Sequence, residues 1–178
     1  VYSVNNGKNS YSGRAHMDGM VFRGYVPQNG VTGGWGGEEF NFSWSMEGSG
    51  TDFAIASMAK YLRDKAELGS EAWQKYNDEY LYFTARATNY VHLFNESMGG
   101  WFRAKKSDGT WLQTDEQFDP TAQGYGYCED NAYNYAFPPY DGQGLANLYG
   151  MARDKDGRTA LGDKLDEAYS AVGTANPG

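Results

Sequence analysis

Between residues 76 and 94 the chain repeats aromatic or small apolar residues at helical spacing. Tyr76, Tyr80, Phe83, Ala87, Tyr90 and Phe94 step by four, three, four, three and four. Such steps return to one face of a 3.6-residue helix, so the run predicts one long helix with a single buried stripe. A stripe of that kind must be covered by another element, and the flanking sequence offers partners. Upstream, Thr51-Asp52 has N-cap chemistry, and Phe53, Ala56, Ala59 and Leu62 fall on one face of the helix it would start. Gly69-Ser70 ends that helix and caps the next. Downstream, Asp141 after Pro138-Pro139 caps a helix reaching about Ala152. Arg158 to Ala171 forms another, with Leu161, Leu165, Ala168 and Tyr169 on its apolar side.

The connecting segments carry turn chemistry. Met98-Gly99-Gly100 breaks the long helix. Trp101-Phe102-Arg103 and Thr110-Trp111-Leu112, joined across Ser107-Asp108-Gly109, predict a short β-hairpin. Residues 1–50 read as a loop-rich lead-in with short strands, with a turn at Asn5-Asn6-Gly7. Gly33-Gly34-Trp35-Gly36-Gly37 cannot hold regular structure. No Gly-Lys-Ser/Thr follows it, so it is no phosphate loop; a substrate-facing loop with Trp35 at its tip and a plain connector both fit. The fold class expected is all-α: helical hairpins over 51–172 with long loops and a small β-hairpin insertion, in one domain over 1–178.

Charge narrows the function classes. Fifteen basic against 23 acidic side chains give a net charge of -8, which argues against a nucleic-acid partner and an anionic membrane surface. No apolar run approaches the ~20 residues of a membrane span, and one cysteine, Cys128, excludes an internal disulfide. The chain opens at Val1 without a signal peptide and ends at Pro177-Gly178, as an excised piece would. Its 15 Tyr, 9 Phe and 5 Trp suit either a packed core or sugar rings, which are apolar on one face and hydroxylated at the rim.

Few residues are arranged for chemistry. Asp154-Lys155-Asp156-Gly157 hints at a calcium loop, but with Gly157 sixth the first and twelfth positions are Ala152 and Asp163, so an interhelical turn is expected. His16 and His92 are isolated and support no metal site or triad. Asn41-Phe42-Ser43 and Asn95-Glu96-Ser97 match the glycosylation sequon, which matters only in a eukaryotic host. Glu129 stands in an aromatic loop with Tyr127, Tyr133 and Tyr135 nearby. Such a setting can raise a carboxyl pKa into the range of a general acid, and Asp130 would raise it further if both carboxylates point the same way. A solvated loop carboxylate is the plain alternative.

The run Gly126-Tyr127-Cys128-Glu129-Asp130-Asn131-Ala132-Tyr133-Asn134-Tyr135, followed by Pro139-Tyr140-Asp141-Gly142-Gln143-Gly144-Leu145, resembles the family 92 glycoside hydrolases. Gly24-Tyr25-Val26-Pro27, Ser45-Met46-Glu47 through Asp52-Phe53-Ala54-Ile55-Ala56, and Phe118-Asp119-Pro120 extend the resemblance over about residues 16–170. It implies a calcium-dependent, inverting exo-α-mannosidase whose catalytic domain is an (α/α)6 toroid, of which this chain is part. Glu129 falls on the general acid. Asn131, Asp141, Tyr140 and Glu47 fall on motif positions expected to meet the sugar, although helix capping by Asp141 and buried pairing by Glu47 would also explain them.

The resemblance places no metal ligand in this chain; the calcium ligands and general base belong to a downstream segment. The chain alone is therefore expected to be inactive. Mannose-containing glycans and the remainder of the parent polypeptide are the implied partners, and the implied location is secreted or periplasmic. Five positions depart from the family pattern: Tyr133 stands for Trp, Asn134 for Gln, Tyr140 for His, Asp130 for Gly and Gly48 for Tyr. Another helical-toroid glycosidase or lyase acting on a different sugar, and a non-catalytic carbohydrate-binding or scaffold module, are the alternatives.

Overall fold

The computed structural model describes residues 17–30, 40–128 and 131–172, and among these the chain is mostly helical. A short helix α1 (Met17–Phe22) precedes α2 (Asn41–Lys65) and α3 (Glu71–Ala87). Two short strands, β1 (Phe94–Asn95) and β2 (Trp101–Phe102), pair antiparallel, and α4 (Gly142–Tyr149) and α5 (Ala160–Val172) follow. Tight 3-10 turns occupy Asn89–Leu93, Ser97–Gly99, Asp115–Gln117 and Ala132–Tyr135. The Asn5-Asn6-Gly7 turn, His16 and the glycine cluster around Trp35 lie outside the described residues.

Helix α2 begins ten residues before the expected Thr51-Asp52 start, inside the segment read as loop-rich lead-in. A helix leaves its first backbone N–H groups without internal partners. Here distant chain supplies them: Asn41 N donates to Gln28 Oε1 at 3.2 Å, and Ser43 N to the Gly126 carbonyl at 3.2 Å. The serines of this turn return their hydroxyls to the preceding turn, Ser45 to Asn41 O at 2.8 Å and Ser49 to Ser45 O at 3.1 Å. Thr51 does the same, donating to Glu47 O at 3.0 Å rather than capping anything.

Ser70 caps α3 as expected, accepting from Trp73 N at 3.2 Å. Helices α2 and α3 thus form a hairpin, locked at the last turn of α3 by a bidentate pair in which Arg86 donates to Asp52 at 2.7 and 2.8 Å. The Asp52 side chain is 0% exposed and that of Arg86 6%. The aromatic stripe is real at Phe83, Ala87 and Tyr90, all buried, but it does not ride one helix. Helix α3 stops at Ala87, Tyr90 reaches the core from a 3-10 turn, and Phe94 sits on a strand.

That strand also revises the hairpin. The turn at Ser107-Asp108-Gly109 holds, with Lys106 N bonded to Thr110 O at 2.8 Å and Leu112 N to Ala104 O at 2.9 Å. Trp101 and Phe102, however, pair with Asn95 and Phe94 instead of with Thr110 to Leu112. Part of the aromatic richness becomes core. Phe42 meets Tyr127 and Tyr135 edge-on at 4.7 and 5.4 Å, and Trp101 meets Tyr133 at 4.9 Å.

Helix α4 ends at Tyr149, before the expected Ala152. On α5, Tyr169 is 66% exposed although its spacing put it on the apolar side. Lys164 turns inward there, its ammonium 3.6 Å over the Trp101 ring and 2.8 Å from Glu167. Asp154 folds back on its own turn, accepting from the amides of Asp156 and Arg158 at 2.8 and 2.9 Å. Both sequon asparagines are buried, and Asn41 Nδ2 donates to Pro27 O at 2.8 Å, so neither amide is presented for glycosylation in the folded chain.

Burial pushes the phenols of Tyr90, Tyr127, Tyr140 and Tyr149 upward, with the carboxylate of Asp141 adding to the effect at Tyr90. In the unfolded chain a phenol ionises near pH 10. The stability held by these neutral phenols is therefore complete below that pH and falls as pH rises beyond it, because the unfolded state releases its protons first. The loss should approach about 1.4 kcal/mol per pH unit for each fully buried phenol, Tyr90 and Tyr127 above all. Melting temperatures measured between pH 8 and 11 should drop steeply above about pH 10, and a flat profile would contradict this account.

Candidate functional site

Ser43, Glu47 and Gly50 are spaced four and three apart on α2, so they share one face over about 10 Å of helix. Three pieces of the motif region rest against that face. The first is the Gly126–Cys128 segment. Cys128 N donates to Ser43 Oγ at 2.7 Å, and Ser43 gives its hydroxyl and its amide to the Gly126 carbonyl, each at 3.2 Å. Gly126 has a left-handed φ of 88°, and a Cβ there would stand 3.0 Å from both Gln28 Oε1 and Phe42 Cβ, so only glycine fits. Tyr127 is buried between Phe42 and Tyr135, and its hydroxyl donates to Phe102 O at 3.2 Å.

Glu129 and Asp130 lie outside the described residues, but the chain is fixed on both sides of them. After them, Asn131 is buried and caps the Ala132–Tyr135 turn, its Oδ1 accepting from Tyr133 N at 3.0 Å. Ala132 N reaches back to Pro120 O at 3.2 Å. Tyr135, at the end of that turn, is the second piece, donating its hydroxyl to Glu47 Oε1 at 3.4 Å. Glu47 itself is exposed, which removes the buried pairing considered for it.

Tyr140 and Asp141 are the third piece. A Cβ on Gly50 would meet the Tyr140 ring at 3.4 Å. Tyr140 stacks on Phe53 at 5.1 Å and donates to Ala87 O at 3.1 Å. Asp141 caps α4 as its sequence position predicts: Oδ1 accepts from Gly144 N at 2.9 Å, and Oδ2 accepts from the Tyr90 hydroxyl at 2.8 Å. A Cβ on Gly144 would lie 2.2 Å from that same Oδ2, so the cap requires a bare backbone. Tyr140 and Asp141 border a cleft of about 320 Å³ between α2 and α3, whose walls include Phe53, Lys60, Tyr80 and Thr84.

The structure therefore joins Glu47 and Asn131 through the 131–135 turn, and sets Tyr140 and Asp141 beside the cleft, with α2 as their common floor. Two residues that hold these groups were missed from the sequence. Ser43 was visible only as part of a sequon, and Tyr90 only as a member of the aromatic stripe.

Among the described residues, no group of three or more His, Cys, Asp or Glu side chains is gathered as a metal ion needs. The calcium that the resemblance implies was expected to take its ligands outside this chain, and no chemistry here passes through it. Among the same residues, no helix is long and apolar enough to cross a membrane. A search of curated proteins gives no match. The model of the glycosyl hydrolase family 92 catalytic domain matches residues 2–177, all but the first and last positions. Matched over almost its whole length, the chain belongs to glycosyl hydrolase family 92, a family of glycoside hydrolases.

Proposed function

We propose that this chain provides the acid-donating part of an inverting exo-α-mannosidase, within an (α/α)6 toroid completed by the rest of the parent polypeptide. Glu129 is the general acid and protonates the departing glycosidic oxygen. Asn131, Tyr140, Asp141 and Glu47 serve the sugar or the loops that hold it. The observation that carries this reading is the double anchoring around Glu129: Cys128 is bonded to buried Ser43 before it, and Asn131 caps a turn after it. A proton donor must be held within a fraction of an ångström of its target, and the anchors at Cys128 and Asn131 supply fixed points on either side of that position.

Inversion also needs a second carboxylate roughly 6.5–9.5 Å from the acid, with room for the attacking water between them. That base and the calcium ligands are assigned to the remainder of the parent protein, so the chain by itself is inactive. Mannose-containing glycans outside the cell, or in the periplasm, are the substrates. Proton NMR during hydrolysis of an α-mannoside by the complete protein tests the reading. β-Mannose should appear first and then mutarotate. α-Mannose as the first product would overturn inversion, and no turnover of α-mannosides, with turnover of another glycoside, would overturn the sugar assignment.

A further inference from the structure

Ser43 lies on the first turn of α2, almost wholly buried, and belongs to none of the motif positions expected to meet the sugar. Its hydroxyl bridges two peptides of one loop, accepting from Cys128 N at 2.7 Å and donating to Gly126 O at 3.2 Å. The Ser43 amide adds a third bond to Gly126 O. Two turns of the chain are thereby tied at one point: the start of the longest helix, and the residue that immediately precedes Glu129. Gly126 closes the joint, because its left-handed backbone leaves no space for a side chain against Phe42 and Gln28.

We propose that Ser43 is a positioning residue for the reaction: by holding the Cys128 peptide it fixes where the chain departs toward Glu129. The proposal rests on Glu129 being the general acid. Ser43 does not touch substrate in this account. It removes the freedom of the Cys128 peptide to rotate, and a displacement of about 1 Å at a proton donor costs on the order of 100-fold in rate. The deficit falls where proton donation matters, on leaving groups that cannot depart as anions.

The test compares Ser43→Ala, Ser43→Thr and Glu129→Gln in the complete protein, on an alkyl α-mannoside and on 2,4-dinitrophenyl α-mannoside, with rates corrected for the folded fraction. Ser43→Ala should lower kcat on the alkyl substrate by about 100-fold, change KM little, and leave the activated substrate far less affected. Ser43→Thr, which keeps the hydroxyl, should recover most of that loss. Equal loss on both substrates, no loss on either, or a Thr variant as poor as the Ala variant would overturn the role of Ser43. If Glu129→Gln separates the two substrates and Ser43→Ala does not, only the Ser43 proposal fails. If Glu129→Gln does not separate them, the general-acid reading itself fails.

Discussion

Glu129→Gln in the complete protein should cut hydrolysis of mannosides with poor leaving groups by about 10²–10⁴-fold, the usual worth of a positioned general acid. An alkoxide leaves only if it receives a proton as the glycosidic bond breaks, and glutamine has the shape of the acid without the proton. A dinitrophenolate departs unaided, so the same variant should keep much of its rate on the activated substrate. The pH dependence should change in the same sense. A general acid works only while protonated, so the complete wild-type protein should lose kcat/KM toward alkaline pH, and the variant should lose that limb. Equal activity of the variant on both substrates, with the alkaline limb retained, would remove Glu129 from the mechanism.

The largest effect on stability is expected at the Asp52–Arg86 pair. Arg86→Met should destabilise the fold by about 3–5 kcal/mol, because it leaves a fully buried carboxylate without its guanidinium. The guanidinium also lies 5.3 Å from the Tyr82 ring and 5.2 Å from the Phe83 ring, and donates to the Tyr82 hydroxyl at 3.1 Å, so packing is lost along with charge. Replacing both partners with apolar residues, Asp52→Leu with Arg86→Met, should recover most of the loss, since two charges no longer need to be desolvated. Chemical denaturation of the parent and the two variants measures this. A single Arg86→Met variant as stable as the parent would mean that the pair adds nothing to the α2–α3 hairpin.

The link to function runs through α2. The face carrying Ser43, Glu47 and Gly50 is useful only while the helix stays docked, and Asp52 lies within a turn of that face's end. A loosened hairpin would move the Cys128 anchor together with Tyr140 and its stacking partner Phe53.

What could be read from the sequence is what neighbours in the chain decide. Ser70 and Asp141 cap helices through residues three positions away, and the turns at Ser107–Gly109 and Asp154–Gly157 close on themselves. The stripe through Phe83, Ala87 and Tyr90 states which side is buried, because periodicity is a local property. The motif residues around Glu129 were recognisable by resemblance, but not what holds them.

Tertiary structure alone decided the rest. The start of α2 at Asn41 depends on Gln28 and on Gly126, 83 residues beyond Ser43. Trp101 and Phe102 chose Asn95 and Phe94 over the hairpin their own turn offered. Asp52 found Arg86 across 34 residues, and Asp141 found Tyr90 across 51. In each case a buried polar group must be paired once water is excluded, and its partner is whichever group the packing brings within about 3 Å. That choice is made in three dimensions, so no window of sequence contains it.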